Sequence, residues 1–111
     1  MRIDETKHGA VTVLKPKGPL GVDDAEAFKQ RALETLGMTL GRFVLDVSEV
    51  PFADSAGLEA LADVGQELIE SGQTLKLCAE TETLREVLEL TDLSGLFEHY
   101  QDVSVAVRSF L

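Results

Sequence analysis

The run Phe43-Val44-Leu45-Asp46-Val47-Ser48-Glu49-Val50-Pro51-Phe52-Ala53-Asp54-Ser55-Ala56-Gly57-Leu58 carries two structural signals in immediate succession. Phe43-Val44-Leu45 is apolar without alternation and leads into Asp46-Val47, as expected of an inner strand covered on both faces. After Val50-Pro51-Phe52 the chain turns, and Asp54-Ser55-Ala56-Gly57 opens a helix with Leu58, Leu61, Gly65 and Leu68 at helical spacing, closed by Gly72. A buried strand feeding straight into an amphipathic helix is the repeating unit of an α/β architecture.

Upstream of this unit, Ile3 to Thr6 and Val11 to Leu14 read as strands joined by a turn at His8-Gly9. Pro16, Gly18, Pro19 and Gly21 then interrupt regular pairing, and Asp23 with Glu26 gives a reciprocal capping pattern for a first helix. Ala25, Phe28, Ala32 and Leu36 form its apolar stripe, and Gly37 is placed to end it. Downstream, Thr74 to Ala79 alternates as a strand, and Thr83-Leu84-Arg85-Glu86 resembles a capping box leading into Val87 and Leu88. Val103, Val105 and Val107 alternate like a strand, yet Val103, Ala106, Val107 and Phe110 also satisfy helical spacing; a helix capped by Asp102 is the favoured reading. The pattern predicts one α/β domain over residues 1–111, with a mixed sheet of four to five strands, an opening hairpin, and about four or five helices on one or both faces.

Composition narrows the function. The formal charge of -10 repels phosphate backbones and anionic lipid, so neither direct nucleic-acid binding nor membrane insertion is expected. The charge is uneven: seven basic and six acidic residues up to Arg42, three basic and fourteen acidic from Phe43 onward. Such a field can steer a basic partner, and it is equally what solvated helix faces produce; Glu80, Glu82, Glu86 and Glu89 are read as solvated in this way. Cys78 is the single thiol, so no internal disulfide can form, and no apolar run or leader pattern marks a membrane span or a secretory signal. A cytoplasmic protein, monomeric when free, is the expectation.

Ser55 is the residue with chemistry to offer. A helix start exposes unpaired N–H donors and a partial positive charge, so a phosphate on Ser55 is tolerated there at little structural cost. Ala56 and Gly57 allow close approach to the hydroxyl, and Asp54 stands beside it as a fixed acceptor. A phosphate would add roughly -1.5 to -2 charge next to Asp54 and repel a partner fitted to the neutral hydroxyl. The competing account is that Asp54 or Ser55 simply caps the helix, a contribution of roughly 1 kcal/mol.

The succession of hairpin, Gly18-Pro19-Leu20, helix, Phe43-Val44-Leu45-Asp46-Val47, Phe52-Ala53-Asp54-Ser55-Ala56-Gly57-Leu58 and Thr91-Asp92-Leu93-Ser94-Gly95-Leu96-Phe97 resembles the STAS domain family over essentially the whole chain. Its bacterial single-domain members are anti-sigma-factor antagonists. The resemblance implies that Ser55 is phosphorylated by an anti-sigma factor that is also a serine protein kinase, and that a cognate phosphatase reverses this. The unphosphorylated form binds the kinase and so frees a sigma factor. By the same resemblance, Phe52, Asp54, Ser55, Ala56, Gly57 and Leu58 form the docking surface. Ala56 stands where many members carry Ser or Thr, and Gly21 where antagonists usually carry Asp. Asp23 and Asp24 are candidates to replace that carboxylate, while Asp23 is equally accounted for as a helix cap. STAS domains also serve as accessory subunits of ABC-type transporters and as parts of signalling scaffolds, and Asp-Ser-Ala-Gly-Leu is compatible with such constitutive roles.

Catalytic readings find less support. Ser55 lacks a Gly-x-Ser-x-Gly frame, the residue three positions on is Leu58 rather than Lys, and no Gly-x-x-x-x-Gly-Lys loop occurs. His8, Cys78 and His99 are isolated, without the paired ligands of a zinc site, and the calcium-hand spacing is absent. No cofactor, metal or enzymatic activity is expected.

Overall fold

The structure is a computed structural model that describes all 111 residues. Strand β1 (Arg2–His8) turns through Gly9, at φ +64, into β2 (Val11–Lys17), and the two pair antiparallel in full register from Arg2↔Lys17 to His8↔Val11. Strands β3 (Phe43–Asp46), β4 (Leu75–Cys78) and β5 (Phe97–Tyr100) then add in parallel, giving the order β1-β2-β3-β4-β5. The connections are α1 (Val22–Thr39), α2 (Ser55–Glu70) and α3 (Glu82–Leu90) with a short 3-10 turn at Ser94–Leu96. Helix α4 (Val103–Arg108) ends the chain. Each crossover steps to the next strand in the same direction, and right-handed connections then place α1, α2 and α3 on one face.

Two apolar clusters follow from that arrangement. Leu14, Phe43, Leu45, Leu75 and Leu77 face α1, α2 and α3 through Phe28, Leu61, Leu68, Leu84 and Leu88. Val11, Val13, Val44 and Cys78 face the opposite way, under Ala106 of α4. β3 therefore has no exposed side, as its unbroken apolar run predicts: Phe43, Val44 and Leu45 are all completely buried. Each fully buried Leu contributes about 1.5–3 kcal/mol by leaving water. Burial also pushes the Cys78 thiol up to about 12, with the nearby Asp46 carboxylate acting in the same direction, so the sulfur is a packing group. No helix is long and apolar enough to cross a membrane.

Several local expectations are corrected. Pro16 stays inside β2 instead of ending it, opposite Ile3. The N–H groups of Thr12 and Gly18 both point to the β3 side, donating to Arg42 and Glu49, so the donor that Pro16 lacks lies on that side, past the last β2–β3 pair at Leu14↔Leu45. Helix α1 runs through Gly37 to Thr39, and the left-handed turn falls on Leu40 and Gly41, whose N–H returns to the Leu36 carbonyl at 3.1 Å. Helix α3 is capped by Thr81, whose Oγ1 accepts from the Leu84 N–H at 3.1 Å, leaving Thr83 inside the helix. Asp102 does cap α4, accepting from Val105 N–H at 2.9 Å. Strand β5 carries no sequence signal strong enough to announce it: Phe97 alone of its four residues is buried, and its pairing to β4 defines it.

Candidate functional site

The end of β3 and the end of β2 climb together beyond the sheet. Leu20 and Ala53 form an isolated parallel bridge, with Leu20 N–H donating to Phe52 O at 3.0 Å and Asp54 N–H to Leu20 O at 3.1 Å. This lays the start of α1 against the start of α2. Asp54 is the α2 N-cap in extended conformation, and its Oδ1 accepts from the Gly57 N–H at 2.9 Å. Its Oδ2 accepts from the Val22 N–H at 3.0 Å. The Gly57 bond, helped by those from Val22 and Ala56 and opposed by partial desolvation, holds the Asp54 carboxyl below its ordinary value.

Ser55 is the first residue of α2 and is exposed, so its hydroxyl stands at the positively polarised entrance of a sixteen-residue helix. Phe52, three residues earlier in the chain, is 50% exposed, and Ala56 is half-buried. Gly57 and Leu58 are buried and support the site from beneath. An added Cβ at Gly57 would lie 2.1 Å from the Leu20 carbonyl oxygen, so only glycine lets the two helix starts close together. A shallow groove of about 260 Å³ runs from here between α1 and α2, past Val22, Ala25, Ala56 and Glu59. Lys29 bridges it to Asp63 at 3.0 Å.

Asp23 and Asp24 do not cap α1. The N-cap is Gly21, without a side-chain bond, and both aspartates sit in the first turn. The helix begins earlier than its local pattern suggests because Asp54 supplies an acceptor from a distant segment. Asp24 pairs with the Met1 amino group at 2.8 Å, while Asp23 is exposed. The structure thus leaves Phe52 and Ser55 exposed and Ala56 half-buried on either side of the bonded Asp54 in the chain, and it adds Val22, 70% exposed, which lines the same groove as Ala56 and which sequence reading passed over.

A second polar cluster was also missed. The Glu80 side chain is only 3% exposed, contrary to the expectation of a solvated acid, and its Oε1 lies 2.7 Å from His99 Nδ1. His99 Nε2 lies 2.8 Å from the Ser94 carbonyl and 3.2 Å from Ser94 Oγ. The order Ser94, His99, Glu80 is that of a hydrolytic relay, but a ring nitrogen 2.8 Å from a carbonyl oxygen must carry hydrogen and cannot take a proton from the hydroxyl. Both nitrogens face acceptors, which favours the imidazolium. Burial opposes that charge, yet the Ser94 carbonyl and the Glu80 carboxylate outweigh it, and with Arg85 also opposing, the His99 pKa is raised. The stability this contributes is fully present below the ordinary histidine pKa of about 6.5 and is lost as pH rises through the higher folded value. Thermal melts across that interval should show wild type losing stability, and Glu80→Gln should flatten the dependence. No group of three or more His, Cys, Asp or Glu side chains is placed to hold a metal ion.

Against known proteins, the family model described as STAS domain matches residues 2–106. A Thermotoga maritima protein named as an anti-sigma factor antagonist is 28% identical over 99 residues, covering 88% of this chain and 88% of its own. The crystal structure of a Thermotoga maritima anti-sigma factor antagonist superposes with a TM-score of 0.86 at 24% identity, covering 96% of this chain and 92% of that one. A Mycobacterium paratuberculosis anti-sigma factor antagonist gives a TM-score of 0.82 at 24% identity, covering 97% and 92% respectively. These superpositions establish a shared fold.

Proposed function

The chain belongs to the STAS domain family, and from that premise we propose that it is a non-catalytic, cytoplasmic anti-sigma-factor antagonist switched by phosphorylation of Ser55. With Ser55 unmodified it binds an anti-sigma factor that is also a serine kinase; with Ser55 phosphorylated it lets go, and a phosphatase resets it. The observation that carries this reading is the exposure of Ser55 at the first position of α2, on a surface that also presents Phe52 and Ala56.

The switch is electrostatic. A phosphate adds roughly -1.5 to -2 charge beside an Asp54 carboxylate that stays ionised, and a partner seated on the neutral hydroxyl meets both repulsion and stranded desolvation. A loss of about 2.7 kcal/mol corresponds to about 100-fold in affinity, so partners can be exchanged without remodelling the fold. The helix entrance tolerates the added charge, which keeps the modified chain folded.

Incubation with ATP and a candidate anti-sigma factor kinase from the same organism should place one phosphate on Ser55, located by mass spectrometry, and none on Ser55→Ala. A kinase that captures the chain yet leaves Ser55 unmodified would instead favour a constitutive subunit of a transporter or signalling scaffold.

A further inference from the structure

Helix α1 has no cap of its own. Gly21 offers no side-chain oxygen, and of the two carboxylates in the first turn Asp24 is engaged by the Met1 amine while Asp23 makes no cap bond. The acceptor comes from 32 residues away: Val22 N–H donates to Asp54 Oδ2 at 3.0 Å, while Asp54 Oδ1 takes the Gly57 N–H of α2 at 2.9 Å. One carboxylate therefore terminates two helices. Gly57 permits the close approach of the two helix starts, since a Cβ there would meet the Leu20 carbonyl, whereas a Cβ at Gly21 would meet only the flexible Asp54 side chain, at 3.2 Å, which can give by a few tenths of an ångström.

We propose that Asp54 is a positioning residue, whose double cap locks the start of α1 to the start of α2 and so sets Val22 beside Ser55 as one recognition surface. The inference rests on the reading of Ser55 as the docking point and assigns Asp54 a task different from contact. Each of its oxygens already accepts a bond from within the chain. A partner gripping Ser55 then meets the first residue of α1 at a set distance, without the entropy of ordering a frayed helix start. Gly21, which stands where a local carboxylate could otherwise sit, is what leaves this task to Asp54.

Acid titration of the folded chain, followed through backbone amide NMR signals, tests the double cap without any partner. The Val22 and Gly57 amides should shift together with one midpoint below the usual carboxylate range, and in Asp54→Asn neither should follow it. An amide side chain has one acceptor oxygen where the carboxylate has two, so this variant keeps at most one cap. Its capture of the anti-sigma factor kinase should fall about tenfold, a loss of the size expected for one helix cap. Gly21→Ser added to Asp54→Asn gives α1 a local cap and should restore capture to within about threefold of wild type. A Val22 amide that ignores the midpoint of Gly57, or an Asp54→Asn chain that captures as wild type does, overturns the proposal. A wild-type chain that captures no kinase while the two amides titrate together rejects the phosphoswitch and leaves the double cap standing.

Discussion

Ser55→Asp will bind the anti-sigma factor kinase about 100-fold more weakly than wild type, whereas Ser55→Ala will bind within about threefold of it. The side chain at this position is exposed and lies among groups already committed: both oxygens of Asp54 are bonded, and Gly57 and Leu58 are buried beneath. Removing the hydroxyl therefore leaves no hole and strands no buried donor. Adding a carboxylate puts a second negative charge next to Asp54 where the partner's surface must close. The first turn of a helix welcomes acidic residues, so the melting temperature of Ser55→Asp should not fall. Titration calorimetry with the purified kinase reads both variants, and equal affinities for Asp and Ala at this position would remove the electrostatic switch.

Gly57→Ala should be the most damaging single methyl group that can be added near the site. Its Cβ would lie 2.1 Å from the Leu20 carbonyl oxygen, a backbone atom that cannot swing aside. The start of α2 must therefore retreat, taking with it the Asp54–Gly57 bond and the bond from Asp54 N–H to the same Leu20 carbonyl. Overpacking of this kind costs about 1–3 kcal/mol, or roughly 5–20 °C in a domain of this size. Gly37→Ala is the matched control: this glycine lies within α1, exposed, with nothing within 4 Å of an added Cβ. That substitution should stabilise by about 0.5–1 kcal/mol, because alanine loses less backbone freedom in a helix. Thermal unfolding of the pair separates a steric interlock from the general cost of replacing glycine; coincident melts for Gly57→Ala and wild type would show that no interlock exists.

The acids of the second half divide by the same physics. Glu82, Glu86 and Glu89 sit exposed on α3 and behave as the solvated face their spacing predicts. Glu80, two residues before that helix, is drawn under His99. Nothing in the local pattern separates it from the other three, because its burial depends on where β5 lies.

Local signals were enough for most of the frame. The hairpin around Gly9, the twice-covered strand at Phe43 to Leu45, the start of α2 at Asp54-Ser55 and the cap of α4 at Asp102 each depend on residues within one turn or one strand. The exposed position of Ser55 at a helix start follows from the same short-range pattern. What the tertiary structure alone decided are the features whose partners lie far along the chain. Val22 starts α1 because an oxygen of Asp54, 32 residues on, accepts its N–H. Glu80 is buried where His99, 19 residues on, sets its Nδ1 2.7 Å from the carboxylate, and β5 is a strand because β4 offers it an edge. Capping and periodicity report only what neighbouring residues can satisfy, while a distant acceptor or a strand edge exists only once the chain has closed on itself.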